Sequence, residues 1–318
     1  MKKHPQTKKQ PKKQNNKKIF LYSPVIFLIF TLFVLSFYNI NIKNQINGNN
    51  IMHNKTANFS LSSYPFKLNK ENLREITAQA AIVMDDDSKV ILFAKNENLR
   101  FSMASTTKIM TALTALDYYK LNDVLTIKTS NIEGSLIGFK VNEKFFFQDL
   151  LYAMLLPSAN DAAVAISQNY NGGETEFMKK MNEKAYAYNL FNTHFSDPTG
   201  LTDDGDYSTV VDLARLSSIA MKNNILQKIV STKYKTIENL EGSKTYSFEN
   251  LNKLLGEYGV NGIKTGFTEE AGGILATSKI EKGHRLIIVV MKSEDRFSDT
   301  KKLLDLVSGN VTYLPIRQ

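Results

Sequence analysis

The sequence predicts an α+β domain, in which an antiparallel β-sheet is flanked by helices and a mostly helical insertion forms one side of a cleft. Three observations carry this reading: strand-like runs at both ends of the region that begins near Ile76, helix-period runs between them, and an amphipathic run near the end of the chain. At the first end, Gln79–Met84 and Val90–Lys95 flank Asp85-Asp86-Asp87-Ser88, whose turn-forming composition reads as a hairpin. At the other end, Gly273–Ser278 and Arg285–Lys292 repeat that signature around Glu281-Lys282-Gly283-His284. Between them, apolar residues recur every three or four positions in Thr106–Tyr119, Phe147–Asn169, Glu174–Tyr188 and Thr209–Asn223. The last run, Ser298–Val307, gathers Leu303, Leu304 and Val307 on one face and is expected to cover the sheet.

The 318 residues, 42% of them hydrophobic, are enough for one large domain or two small ones. Lys and Arg number 40 against 31 Asp and Glu, but eight lysines fall in residues 1–18 with no acidic partner. Setting those eight aside leaves 32 basic residues against 31 acidic ones, so the excess belongs to a basic tail and not to a folded face. Nucleic acid is therefore not an expected partner. The absence of Cys excludes disulfides, thiolate zinc sites, iron–sulfur clusters and a Cys nucleophile. The four histidines, His4, His53, His194 and His284, are scattered, which disfavours a His-based metal site and a Ser-His-Asp triad.

Ile19–Tyr38 runs for twenty residues without a charge, long enough at 1.5 Å per residue to cross a hydrocarbon core about 30 Å thick. With the lysine tail before it, the positive-inside bias puts the N-terminus in the cytoplasm and everything after the span outside. A cleavable signal peptide is the competing reading; the apolar stretch is long for one, and no convincing A-x-A site follows. The expected organisation is a cytoplasmic basic tail (1–18), a transmembrane signal anchor (19–40), an Asn-, Ser- and Lys-rich spacer (41–75) and a folded domain (76–313).

Three strings could carry chemistry: Ser105-Thr106-Thr107-Lys108, Ser158-Ala159-Asn160 and Lys264-Thr265-Gly266. The first two patterns also occur by chance, in Ser298-Asp299-Thr300-Lys301 and Ser308-Gly309-Asn310, whereas Lys-Thr-Gly occurs once. Ser105 falls at the start of a helical run, where backbone N–H groups lack partners, and Lys108 lies one turn on along the same face. A lysine amine there can take the hydroxyl proton if burial and a second cation depress its pKa. Read alone, the string fits an N-cap serine with a solvated lysine equally well. Ser158 and Asn160 follow Pro157, which ends an apolar run and leaves them in a loop able to face a cleft, or merely to cap the next helix. Lys264-Thr265-Gly266 follows a Gly-rich approach to an edge strand, where a peptide can bind along the backbone and Gly266 would let it come close; an ordinary turn is the alternative.

Taken together and in this order, the three strings resemble the catalytic signature of the serine-type β-lactamase and penicillin-binding superfamily. Within it the chain resembles the D-alanyl-D-alanine carboxypeptidases, the low-molecular-weight penicillin-binding proteins. The likeness extends to Phe195-Ser196-Asp197-Pro198-Thr199-Gly200-Leu201, Tyr207-Ser208-Thr209, Asn250 through Leu255 and Gly262 through Gly273, and covers roughly Ile76 to Val307. It implies a β-lactamase/transpeptidase-like fold and removal of the terminal D-alanine from peptidoglycan stem peptides ending in D-Ala-D-Ala, with β-lactams as inhibitors that acylate the same serine. Ser105 would be the acylated nucleophile, Lys108 its base and Ser158 a proton relay to the leaving D-alanine. Asn160 would orient Lys108 and the substrate amide, and Lys264 would keep Lys108 neutral and, with Thr265, hold the terminal carboxylate. The N–H groups of Ser105 and Phe267 would form the oxyanion hole. Phe267 stands where some members carry His, and the N-terminal span would replace the C-terminal anchor of the best-known members. A β-lactamase is the second reading, but its Glu-x-x-Leu-Asn string is matched only by Glu249-Asn250-Leu251-Asn252, one residue short. A wall-binding protein without activity is the third.

Overall fold

Strand Ala80–Asp85 is buried at every position, because it is an inner strand of a sheet covered on both faces. The computed structural model, which describes residues 64–67, 75–202 and 205–314, sets this strand in a five-stranded antiparallel sheet. The order is Val260–Thr268, Gly272–Glu281, His284–Ser293, Ala80–Asp85 and Ile91–Lys95. The expected hairpins are present at both ends, and the sheet joins them through His284–Ser293, which pairs with Ala80–Asp85.

Alternation along these strands divides the core in two. Ala80, Ile82, Ile274, Ala276, Ile287 and Val289 face the helical insertion and pack with residues such as Ile109, Met110 and Phe147. Ala81, Val83, Leu275, Leu286, Ile288 and Val290 face the other way, against Leu303, Leu304 and Val307 of helix Arg296–Val307. Asp299 ties that helix to the sheet margin: its carboxylate accepts from Thr77 N, Thr77 Oγ1, Ala78 N and Ser293 Oγ.

The insertion consists of helices Lys108–Leu116, Phe147–Leu155, Asn160–Asn169, Gly173–Ala187, Val210–Ala220 and Asn224–Val230. The helical pattern over Phe147–Asn169 is two helices, parted at the break expected after Pro157: that residue has no N–H to continue the first helix, and Ser158 adopts a left-handed φ of 68°. The run expected from Thr106 to Tyr119 begins as a 3₁₀ turn, Ala104–Thr107, and its α-helix ends at Leu116. The hairpin Tyr234–Glu238 with Thr245–Glu249, and the short pair Val124–Thr126 with Lys144–Phe146, have no counterpart among the expected elements.

The spacer expected to run to residue 75 contains strand Tyr64–Lys67, which pairs with Val311–Leu314. Sheet pairing therefore begins before Ile76, and the domain boundary moves toward the N-terminus. The basic tail and the apolar segment 19–40 lie outside the described residues. Among the described residues, no helix is long and apolar enough to cross a membrane.

Candidate active site

The nucleophile candidate sits in a strained turn wedged between the sheet and the helical insertion. Ala104 has a φ of 44°, uncommon for a residue with a Cβ, and hands the chain into the 3₁₀ turn that carries Ser105. No side-chain cap bond forms at the start of this turn or of the helix after it, so the capping role open to Ser105 is not the one it takes. Ser105 Oγ instead lies 2.9 Å from Lys108 Nζ.

Lys108 is fully buried, which excludes the solvated lysine that the sequence left open. Its Nζ donates to Asn160 Oδ1 at 2.8 Å and to the Thr199 carbonyl at 2.8 Å. The Asn160 amide is oriented by its own second bond, Nδ2 to the Glu133 carbonyl at 2.7 Å, so that Oδ1 is the atom turned to the lysine. Burial brings the Lys108 pKa down to about 7, against the opposing pull of Asp197, Asp206 and Asp161. Of the two causes the sequence reading named, burial and a second cation, burial is thus the main one.

Asn160 opens helix Asn160–Asn169 without capping it, and is buried with Ser158 just ahead of it. The neighbouring Asp161 acts structurally. Its carboxylate accepts from Ile137, Gly138 and Phe139 N and holds their loop over this helix start. Ser158 Oγ is buried and makes no hydrogen bond among the described residues, so the structure joins Ser105, Lys108 and Asn160 directly and leaves Ser158 beside them.

The third string lies on the edge strand Val260–Thr268. Lys264 is buried, with Nζ donating to the Thr265 carbonyl at 3.0 Å. Burial, then the positive charges of Lys108 and Arg296, hold its pKa well below the usual lysine range. Gly266, expected to admit a substrate, also has a packing reason: a Cβ there would meet the Met103 carbonyl at 3.1 Å and Ala104 Cβ at 3.3 Å. The glycine lets the strand lie against the nucleophile turn, and Phe267 beside it is 62% exposed.

Two contributors were not legible as site residues. Arg296, at the start of the last helix, is electrostatically coupled to Lys264, and its Nε is buried without a partner among the described residues. Its only sequence signal is a cation 32 positions beyond Lys264. The Thr199 carbonyl is backbone and carries no residue-type signal at all; it sits within the quoted Phe195–Leu201 string. Gly200 next to it comes so close to the Ala104 carbonyl that a Cβ would stand 1.9 Å away.

The arrangement puts a hydroxyl, a buried amine of lowered pKa and the basic side chains of Lys264 and Arg296 in one region, which suits acyl transfer from a substrate that bears a carboxylate. A family profile described as D-alanyl-D-alanine carboxypeptidase, peptidase S11, matches residues 67–295. The chain belongs to this family of serine peptidases. It is 36% identical to the D-alanyl-D-alanine carboxypeptidase DacF of Bacillus subtilis (strain 168) over 250 residues, covering 75% of this chain and 64% of that protein's length. A D-alanyl-D-alanine endopeptidase of Pseudomonas aeruginosa is 33% identical over 252 residues, 76% of this chain and 81% of its own. Among solved structures, the Streptomyces K15 DD-transpeptidase matches with a TM-score of 0.71 and 31% identity, over 74% of this chain and 98% of that one. A carboxypeptidase from Mycobacterium tuberculosis H37Rv matches with a TM-score of 0.70 and 28% identity, over 76% and 94%.

The β-lactamase-like string Glu249-Asn250-Leu251-Asn252 ends a hairpin strand and stabilises the chain around it. Asn250 Nδ2 donates to the Val230 and Thr232 carbonyls, and Asn252 Nδ2 to the Gly262 carbonyl ahead of Lys264.

Proposed function

We propose that this chain removes the terminal D-alanine from peptidoglycan stem peptides through an acyl-enzyme on Ser105. The observation that carries this is the set of three neighbours around Lys108 Nζ. A neutral amine has two N–H groups and one lone pair. Asn160 Oδ1 and the Thr199 carbonyl can only accept, so they take both N–H groups and leave the lone pair to the one neighbour able to donate, Ser105 Oγ–H. With the Lys108 pKa near 7, a large part of the enzyme holds this form at neutral pH.

Ser105 Oγ then attacks the carbonyl carbon of the penultimate D-alanine as its proton passes to Lys108. The oxyanion is received by the N–H groups of Ser105 and Phe267. Collapse breaks the peptide bond, and the Lys108 ammonium returns the proton to the leaving amine, with Ser158 as the relay. Water hydrolyses the ester and regenerates Ser105. Lys264, Thr265 and Arg296 receive the terminal carboxylate, and that anion favours the charged form of Lys264 which burial disfavours in its absence. No metal or organic cofactor enters this scheme. A β-lactam offers a similarly placed carbonyl and carboxylate and acylates the same serine.

The uncharged run 19–38 behind a lysine tail supports a single-pass anchor with the domain outside the cell, where its substrate is.

The test uses a D-Ala-D-Ala-terminated peptide and, separately, a labelled penicillin. Released D-alanine and a mass adduct on Ser105 are expected, both absent in Ser105→Ala. Rapid repeated penicillin hydrolysis without a lasting adduct would favour the β-lactamase reading. Wall binding with no adduct, equal in the variant, would favour the inactive one.

A further inference from the structure

The Thr199 carbonyl can fix the lone pair of Lys108 only if its own turn is held, and the structure shows what holds it. Asp197 Oδ1 accepts from Thr199 N at 2.6 Å, Thr199 Oγ1 at 2.6 Å and Gly200 N at 2.9 Å, while Oδ2 accepts from Thr202 N at 2.8 Å. One carboxylate thus gathers three donors on either side of the carbonyl and a fourth two residues on. Burial alone would raise its pKa, but hydrogen bonds with Asp206, Thr199 and Thr202 hold it well below the usual carboxylate range, so it stays an acceptor. The turn is also pinned to the lysine's own helix: Thr111 Oγ1, one turn beyond Lys108, donates to the Pro198 carbonyl at 2.7 Å. On its far side Gly200 rests against the Ala104 carbonyl of the nucleophile turn.

We propose that Asp197 is a positioning residue for the general base: by closing the turn Asp197–Thr202 it aims the Thr199 carbonyl at Lys108, and so directs the amine's lone pair to Ser105. The proposal rests on the acyl-enzyme reading. Asp197 is not assigned any contact with substrate. Its effect therefore belongs to the acylation step and not to the affinity that precedes it, since a base misaligned by about 1 Å costs on the order of 10²-fold in rate.

The experiment compares wild type, Asp197→Ala and Asp197→Asn in their reaction with labelled penicillin. Pre-steady-state kinetics separate the non-covalent dissociation constant from the first-order acylation rate, and the final label counts competent sites. For Asp197→Ala we expect the acylation rate per competent site to fall about 10²-fold, with the dissociation constant within about threefold of wild type. Asp197→Asn keeps an amide oxygen for Thr199 N, Thr199 Oγ1 and Gly200 N, and is expected to recover most of that rate; it also serves as the folded variant should the alanine form be unstable. A merely structural role would lower the number of labelled sites and leave their rate unchanged. That result, or a loss confined to the dissociation constant, or an asparagine variant as slow as alanine, overturns the proposal. If wild type forms no adduct on Ser105, the underlying reading fails instead, and the two failures are told apart.

Discussion

The same four-residue pattern begins two helices on opposite faces of one sheet, and only one of them is equipped for chemistry. Ser105 and Lys108 lie on the side of the helical insertion; Ser298 and Lys301 lie on helix Arg296–Val307. In the first, the lysine is buried and its amine meets an amide oxygen, a carbonyl and the serine hydroxyl. In the second, Ser298 N bonds the capping Asp295, and Lys301 is exposed, its ammonium 4.0 Å from the Glu257 carboxylate and in no closer ion pair among the described residues. Spacing along a helix brings two side chains to one face and does no more. What distinguishes the pairs is contributed from far along the chain, by Asn160 and Thr199, and by the burial that the insertion imposes.

The largest test of this contrast is removal of each lysine. Lys108→Ala deprives Ser105 of its base and is expected to lower acylation by penicillin by about 10³- to 10⁴-fold. Lys301→Ala, on the opposite face, is expected to leave it unchanged, because its charge is solvated and at most weakly paired. Equal losses in the two variants would mean that burial does not separate them. Mass spectrometry of the adduct against time reads both.

A smaller effect concerns pH. The protonated Lys108 cannot accept the Ser105 proton, so acylation should follow the fraction of neutral amine. With its pKa brought down to about 7 by burial, the rate is expected to fall about tenfold per unit of pH below that point and to level off above it. A lysine left in solvent would place such a limb several units higher. An acid limb near the ordinary lysine value, roughly 10, would therefore remove the distinction drawn between the two helices.

The contrast also explains which features the sequence alone made visible. The sheet was legible because its inner strands, buried on both faces, are apolar runs bounded by turn residues, as in Arg285–Lys292. Leu303 and Leu304 marked the face of the last helix, which packs as expected. The hairpin Tyr234–Glu249 was not legible: its strands carry a mixed polar pattern with Ile237 and Phe248 as their buried apolar residues, and the turn Asn239–Lys244 is held by the Asn239 side chain. At the site, Ser105, Lys108 and Asn160 stood out by residue type and spacing, and the structure joins them. Thr199 acts through a carbonyl, which every residue has. Arg296 acts from another element. Gly266 signals close approach, as its residue type suggests, but what approaches it in the folded chain is the Met103 carbonyl.

The smallest effect is the stability cost of holding a lysine ready for this work. Lys108 has a pKa of about 7 when folded and an ordinary value of 10.5. Between those values the unfolded chain binds the extra proton and the folded chain does not, so stability must rise with pH across the window. Below about 7 both states are protonated and the penalty for burying the ammonium is borne in full; above 10.5 it is gone. Lys108→Met, of similar length and apolar, removes the titration. It is expected to unfold at higher urea than wild type at about pH 6.5, by on the order of a few kcal/mol, and to differ much less at about pH 9.5. Lys264 biases stability in the same direction in both proteins, and because the Lys108 charge helps to lower its pKa, the difference between the two curves reads the loss of Lys108 together with that coupling. Were Lys108→Met to track wild type at both pH values, burial could not be the source of the amine's reactivity, and its neutral form would need another cause.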